Sequence, residues 1–213
     1  MIVLALWLSL ADVEAPPTPR GEVAWTAELP GTPSRGCAVD EARVFQGVMR
    51  PVDRKERALL VAVDRTSGRL AWQKEVGTGY PHAAPATVGA LVVYGGFSGD
   101  VLALDRVTGA ARWRFKNGKG GLLSTPVVER AAAGDRVWLG FIGGAVALDA
   151  ATGAELMRVP MAAGTQVLAV RGGRAFLHGM AENAVVALDP AADVEAAVEG
   201  AASGSTAGVP AAA

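Results

Sequence analysis

Residues 103–113 read Ala103-Leu-Asp105-Arg-Val-Thr108-Gly109-Ala-Ala-Arg-Trp113, and this pattern decides the fold because it returns at a nearly constant spacing. The other copies are Ala62-Val-Asp64-Arg-Thr-Ser-Gly68-Arg-Leu-Ala-Trp72, Ala147-Leu-Asp149-Ala-Ala-Thr152-Gly153-Ala-Glu-Leu-Met157 and the shortened Ala187-Leu-Asp189. The four aspartates follow one another at steps of 41, 44 and 40 residues. Such a period, with one turn and several short apolar runs in each unit, is typical of the four-stranded blades of a β-propeller.

Each residue type in the pattern has a structural explanation. The aspartate is placed to accept hydrogen bonds from backbone N–H groups one to three residues later, which closes a tight turn. The glycine four residues on suits a left-handed position, where it has no steric penalty. The tryptophan is large and flat, so we expect it to cover the flank of the next blade, with the small alanine before the aspartate leaving room for it.

The pattern Ala-x-Asp-x-x-x-Gly-x-x-x-Trp resembles the docking motif of the pyrroloquinoline-quinone-like repeats. Two copies match it fully, and the copy at 147–157 carries Met157 in place of tryptophan. The resemblance covers roughly residues 20–190 and implies a propeller, usually of seven or eight blades, found in quinoprotein dehydrogenases and in non-catalytic relatives. The non-catalytic branch includes the propeller lipoprotein of the outer-membrane β-barrel assembly machinery, and our chain is far too short for seven such blades.

Composition sets broad limits on function. The chain has 213 residues, 51% of them hydrophobic, which is enough for one globular domain with a sizeable core. Its 20 basic and 21 acidic side chains nearly cancel, so we expect no nucleic-acid partner. The single cysteine, Cys37, has no partner within the chain for a disulfide and leaves the redox compartment undecided.

The first residues allow two interpretations. Residues 2–11 are uncharged and have the length of a signal-peptide core, with Ser9-Leu-Ala11 as a candidate cleavage site, and they are too short to span a bilayer. No basic residue precedes them and no lipobox cysteine follows. Alternatively, residues 7–12 are a strand of a truncated blade. We therefore expect a periplasmic or extracellular protein if residues 1–11 are a signal, and we assign residues 1–20 to either a signal peptide or a truncated strand.

We predict an all-β fold, a small or partial propeller of about four four-stranded blades in residues 21–194. The units span about 36–76, 79–117, 124–161 and 166–189, preceded by an outer strand at 21–29, and residues 195–213 form an Ala/Gly/Ser tail that we expect to be disordered. In the second unit the predicted strands are 84–88, 91–95, 100–105 and 111–116. The first unit carries an inserted charged loop at 50–57.

The two ends of the repeat region are complementary in sequence. The last unit has its aspartate but no Gly-x-x-x-Trp strand, whereas residues 21–25 supply such a strand without a first half. The two halves would complete one blade and close the ring, which is how propellers remove open edges. The alternative is an open arc, whose open blade edges would allow self-association.

The sequence contains few patterns typical of catalysis or metal binding. The once-per-unit recurrence of Asp64, Asp105, Asp149 and Asp189 indicates a structural role, and no nucleotide, calcium or zinc spacing is present. Quinone-using relatives stack the cofactor on a vicinal cysteine pair, which this chain lacks, so we predict no catalytic, cofactor-binding or metal-binding residue. Pyrroloquinoline quinone and calcium are expected only if the chain is a dehydrogenase fragment.

What remains is a candidate surface at one end of the blades. Its members lie in loops that enter blades or join second and third strands: Arg50, Asp53, Arg54, Lys55, Glu56, Arg57, Tyr80, His82, Asp100, Lys116 and Lys119. We expect a non-enzymatic scaffold that binds another protein in a bacterial cell envelope. The alternatives are a fragment or subunit of a quinone-dependent dehydrogenase and an extracytoplasmic sensor module.

Overall fold

The computed structural model describes residues 21–52, 55–80, 82–118 and 120–189. Within these ranges every regular element is a β-strand, so no helix there is long and apolar enough to cross a membrane. The strands are β1 (Thr32–Val39), β2 (Arg43–Val52), β3 (Lys55–Asp64), β4 (Leu70–Thr78), β5 (Ala86–Val88), β6 (Leu91–Gly95), β7 (Asp100–Asp105), β8 (Ala111–Lys116), β9 (Val127–Glu129), β10 (Arg136–Asp149), β11 (Glu155–Arg171), β12 (Arg174–Gly179) and β13 (Ala184–Leu188). The predicted signal or truncated strand at 1–20 and the predicted tail at 195–213 lie outside the described residues.

The strands form three antiparallel sheets. Strands β1 to β4 make the first and β5 to β8 the second, each in sequence order, while the third has the order β13-β12-β11-β10-β9. Neighbouring strands are consecutive in the chain, as expected for up-and-down blades. The fold is therefore a partial β-propeller, and the predicted fold class is confirmed.

Strand β10 folds back on itself within the third sheet. The amide of Ala150 donates to the carbonyl of Asp135 at 3.0 Å, although these residues flank a 14-residue strand that would span about 45 Å if straight. The reversal lies at Gly143 and Gly144, whose φ angles of 91° and 138° suit glycine. The two arms of β10 are thus the second and third strands of a third blade.

Strand β11 serves two blades in the same way. Its first half pairs with β10, from Pro160 opposite Gly144 to Glu155 opposite Leu148, and its second half pairs with β12, from Thr165 opposite Gly179 to Arg171 opposite Arg174. The third sheet therefore contains a complete third blade and three strands of a fourth blade, formed by the second half of β11 together with β12 and β13.

The aspartates close the turns as predicted. In the second blade the Asp105 carboxylate accepts hydrogen bonds from the amides of Val107 and Thr108 and from the Thr108 hydroxyl, at 2.9–3.0 Å. The amide of Gly109 donates to the Asp105 carbonyl at 2.9 Å. Asp64 and Asp149 make the same set of bonds in the first and third blades.

The tryptophans join successive blades, as predicted. Trp72 leaves the first blade and donates from Nε1 to the carbonyl of Arg106 in the second at 3.2 Å, and Trp113 likewise reaches Ala150 in the third at 3.0 Å. A Cβ atom added to Gly109 would lie 2.8 Å from the Trp72 ring, so the glycine makes room for the ring as well as providing a φ of 72°. The motif alanine instead lies opposite the tryptophan of its own blade, as Ala62 does opposite Trp72.

The hydrophobic core consists of layers between blades. One buried cluster combines the first blade with the second, another the second with the third, and a third the third with the fourth. Burial of both faces of the central strands explains why β3 and β7 are continuous apolar runs. A fourth cluster is covered by the segment before β1, through Trp25, Ala27 and Leu29.

Two local predictions differ from the structure. Residues 21–29 form no strand, because a strand needs a neighbouring edge and this segment lies against the side chains of the first blade instead. The predicted charged loop at 50–57 is mostly hairpin, since Arg50 pairs with Arg57 and Val52 with Lys55. The two strands are already in register there, and the ladder continues despite the polar side chains.

Candidate functional site

The loops predicted to share one end of the blades do so. Backbone hydrogen bonds connect them in blade order: Ser98 to Thr78 at 3.1 Å, Asn117 to Gly99 at 3.0 Å, Ile142 to Gly121 at 3.2 Å and Met180 to Gly164 at 2.9 Å. These bonds run from the first blade to the fourth. We call this continuous end the loop face, formed by residues 55–57, 78–80, 82, 96–99, 116–118, 120–121, 142–144, 164 and 180.

The loop face carries a line of partly exposed apolar side chains. The ring of His82 lies 5.2 Å from both the Tyr80 and the Phe97 rings. Phe97, Ile142 and Met180 come from the loop between second and third strands of the second, third and fourth blades, and they are 40%, 38% and 57% exposed. We call the five residues Tyr80, His82, Phe97, Ile142 and Met180 the apolar strip.

Three glycines without side chains lie directly beneath members of the apolar strip. A Cβ on Gly121 would meet the Phe97 ring at 2.6 Å, one on Gly120 would meet Cβ of Ile142 at 2.7 Å, and one on Gly164 would meet the sulfur of Met180 at 2.6 Å. The apolar side chains therefore lie directly on the main chain of the segments that link successive blades. Larger residues at these glycines would push the strip apart.

Several charged residues of the predicted surface already have partners. Asp100 is 6% exposed and accepts hydrogen bonds from Arg114 at 2.6 Å and from Ser98 at 2.9 Å. Burial opposes its ionisation, but these two hydrogen bonds and the positive charges of Arg114 and Lys116 together outweigh that effect and lower the pKa of Asp100. Arg57 forms an ion pair with Glu75 at 2.9 Å. The side chains of Asp100 and Arg57 are therefore already engaged within the fold.

The remaining predicted residues fall into three groups. Lys55, Glu56, His82 and Lys116 are exposed on the loop face, while Arg50 and Tyr80 are half-buried. Asp53, Arg54 and Lys119 lie outside the described residues. The structure thus places Tyr80 and His82 together, and it adds Phe97, Ile142 and Met180, which sequence reasoning missed.

A repeat-based signal for the missed residues exists in the sequence. Each of the three follows a glycine at or near the end of a second strand by one or two positions, as Phe97 follows Gly95, Ile142 follows Gly140 and Met180 follows Gly179. An apolar residue is unusual in an exposed turn, where Gly, Asn and Asp prevail. An alignment of the units on these glycines shows the recurring apolar residue.

Two clefts among the described residues lie away from the loop face. One of about 490 Å³ lies between β9 and the β11–β12 hairpin, and its acidic side chain, Glu129, accepts a hydrogen bond from Trp138. Another of about 440 Å³ is lined by the turn aspartates Asp105 and Asp149. Across the described ranges, no three His, Cys, Asp or Glu side chains cluster in a way that could hold a metal ion.

A protein-family comparison gives a match over most of the chain. Residues 10–176 match the model of the family described as outer membrane protein assembly factor BamB. A search of curated proteins finds no match.

Solved structures share the fold. BamB from Moraxella catarrhalis is 19% identical with a TM-score of 0.55, over 76% of this chain and 47% of that one. The computationally designed Ika4 protein is 14% identical with a TM-score of 0.61, over 80% and 99%. The quinohemoprotein alcohol dehydrogenase ADHIIG from Pseudomonas putida HK5 is 17% identical with a TM-score of 0.52, over 77% and 36%. The chain thus spans about half of the BamB structure and about a third of the dehydrogenase.

Proposed function

Because the chain belongs to the PQQ-like repeat propeller family of the outer membrane protein assembly factor BamB, we propose that it is a non-enzymatic scaffold that binds another protein. The observation that carries this proposal is the apolar strip, in which side chains from three successive blades form one partly exposed row. Exposed apolar groups that adjoin one another favour a protein partner, since isolated ones are ordinary on any surface.

The chemistry of the strip suggests how a partner is held. Phe97 and His82 offer ring faces, while Met180 is flexible and adapts to irregular contours. Exposed Lys55, Glu56 and Lys116 lie on the same face and suit the polar rim of an interface. The strip therefore fits a protein segment with apolar side chains flanked by charges.

The proposed location is the bacterial cell envelope, periplasmic or extracellular. The support is the family description, which refers to outer-membrane assembly, together with the uncharged stretch at residues 2–11. No cofactor is part of the proposal. A role in assembling outer-membrane proteins would follow that of BamB itself.

The test measures binding to purified soluble domains of the outer-membrane assembly machinery by titration calorimetry. Phe97→Ser should weaken the affinity at least about tenfold, because a central aromatic residue is a common energetic hot spot and tenfold corresponds to about 1.4 kcal/mol. The matched control is Val107→Ser, an exposed apolar residue at the opposite end of the second blade. Equal effects of both changes, or no binding by the unaltered chain, would contradict the proposal.

The second candidate function is a fragment or subunit of a quinone-dependent dehydrogenase. It is favoured by the structural likeness to the alcohol dehydrogenase, which extends over 77% of this chain. Reconstitution with pyrroloquinoline quinone and calcium, followed by dye reduction, distinguishes the two functions. Stoichiometric cofactor binding with dye reduction would replace the scaffold proposal.

A further inference from the structure

The fourth blade has an uncovered third strand. Strand β13 is the last strand of its sheet, and among the described residues no strand lies on its other side. Val185 of β13 lies two positions before the motif alanine and is 63% exposed. The residues at the same position of the first three blades, Leu60, Val101 and Ala145, are 0% exposed. The repeat position is the same, so the difference comes from the fourth strand and the following blade, which cover these three residues and which β13 lacks among the described residues.

The segment before the first blade has the complementary property. Trp25 donates from Nε1 to the carbonyl of Arg65 at 2.9 Å, and its ring lies 2.6 Å from where a Cβ on Gly68 would be. Trp72 and Trp113 make the same contacts with the next blade, and both lie on fourth strands, β4 and β8. Residues 21–29 thus dock as a fourth strand does, but no third strand pairs with them in the described structure.

We propose that residues 21–29 of one copy of this chain pair with β13 of a second copy and complete its fourth blade. The pairing joins the fourth blade of one copy to the first blade of the other. Exchanging the segment in both directions gives a twofold dimer whose two arcs form one ring, and it removes both open edges. Eight blades would result, within the range that the family resemblance implies.

The register of the new pairing follows from the complete blades. In each of them the motif alanine lies opposite the tryptophan position: Ala62 opposite Trp72, Ala103 opposite Trp113 and Ala147 opposite Met157. The residue before that alanine lies opposite the residue after the tryptophan, as Val61 does opposite Gln73. Ala187 should therefore face Trp25 of the second copy, and Val186 should face Thr26.

The fourth blade is covered on one face and exposed on the other, as this arrangement requires of an isolated copy. Leu188 is 4% exposed and packs in the cluster shared with the third blade. Val185, three positions earlier and therefore on the opposite face of the strand, is 63% exposed. A blade that needed no further neighbour would carry polar residues at exposed positions of β13, which instead reads Ala-Val-Val-Ala-Leu.

The first experiment traps the pairing with single cysteines in full-length chains that also carry Cys37→Ser. Chains with Thr26→Cys are mixed with chains with Val186→Cys under mild oxidation, and covalent dimers are counted on a non-reducing gel. Directly paired strand residues have Cα atoms about 4.5–5.5 Å apart, which suits a disulfide. We expect dimers in this mixture at least about tenfold above the control mixture, in which Val107→Cys replaces Val186→Cys.

A chain carrying both Thr26→Cys and Val186→Cys separates this pairing from closure within one chain. Our proposal predicts a disulfide-linked dimer. A monomer with an internal disulfide would overturn it in favour of a four-blade ring. Mixed chains that form no more dimer than the Val107→Cys control would overturn the pairing itself.

The second experiment measures the mass of the unaltered chain by sedimentation equilibrium. Twice the chain mass of 21.7 kDa is expected, and Val185→Asp should restore the single mass because it places a charge in the proposed joint. Val107→Asp is the control and should remain dimeric, with circular dichroism confirming that both variants fold. A monomeric unaltered chain, or a series of larger oligomers, would overturn the closed pair.

Discussion

The third strands of the second and fourth blades, β7 and β13, carry the same motif residues, Ala-Leu-Asp, at or directly after their ends but differ in their surroundings. Ala103 of β7 is 0% exposed, whereas Ala187 of β13 is exposed. Strand β7 has β6 and β8 beside it, while β13 has β12 on one side in the described structure. Burial of a repeat residue therefore depends on the neighbouring strand and blade, and the repeat sequence alone does not determine it.

The same contrast holds for the tryptophans at the joints. Trp113, between the second and third blades, is 8% exposed, while Trp25, on the outer flank of the first blade, is only half-buried. Both make the same hydrogen bond and the same contact with a turn glycine. The difference in burial should therefore appear directly in stability.

The largest expected effect tests this contrast at the joint. Trp113→Ala should lower the free energy of unfolding by about 3–5 kcal/mol, because it opens a cavity in a packed core layer. Trp25→Ala, measured where the chain is monomeric, should cost clearly less, since its ring is already partly solvated. Urea unfolding monitored by circular dichroism gives both values, and equal costs would show that the flank and the joint are equivalent.

An intermediate effect is expected at the turn glycines. Gly89→Ala in the second blade introduces a side chain at a φ of 53° with open space around it, so about 1–2 kcal/mol of backbone strain is expected. Gly109→Ala has a similar φ of 72° and must also displace the Trp72 ring. Gly109→Ala should therefore lower the free energy of unfolding in urea more than Gly89→Ala does, and the difference measures the contact between Gly109 and the Trp72 ring. Identical losses would mean that the Trp72 ring moves aside without cost.

The smallest expected effect is on the pH dependence of stability in acid. Hydrogen bonds from Arg112 and then from Thr108 hold the pKa of Asp105 well below the ordinary value for an aspartate, about 3.9. Because the folded-state pKa is depressed, the associated stability is present above about pH 4 and is lost as the pH falls below it. Asp105→Asn should therefore lower the urea midpoint at pH 7, and the difference from the unaltered chain should shrink as the pH is lowered from 4 towards 2. A constant difference would show that the turn's hydrogen bonds, rather than its charge, determine the effect.

Several features were predictable because they depend on nearby residues. The strands Leu91–Gly95, Asp100–Asp105 and Ala111–Lys116 have the predicted bounds, and the turn between the last two is closed by hydrogen bonds within four residues of Asp105. Alternation, turn residues and one repeat period suffice for such elements.

The candidate site was predictable only in part. Tyr80 and His82 adjoin in sequence, so their proximity followed from the chain itself. Phe97, Ile142 and Met180 lie about 40 residues apart in the chain. Hydrogen bonds between loops of different blades bring them onto one face. Their alignment depends on how the blades stack, which a single unit does not contain.

From the sequence alone follow the repeat and the turn geometry around Asp64, Asp105 and Asp149, because each turn depends on residues a few positions apart. The place of the tryptophans at the joints follows from the recurrence of the motif, although each of their hydrogen bonds joins residues 34 to 40 positions apart. The tertiary structure decides the rest. The hairpin at 50–57 extends because two strands are already in register, and residues 21–29 remain unpaired because no strand edge lies beside them. A hydrogen-bonded ladder requires a partner edge in space, and the positions of those edges are determined by the packing of whole blades.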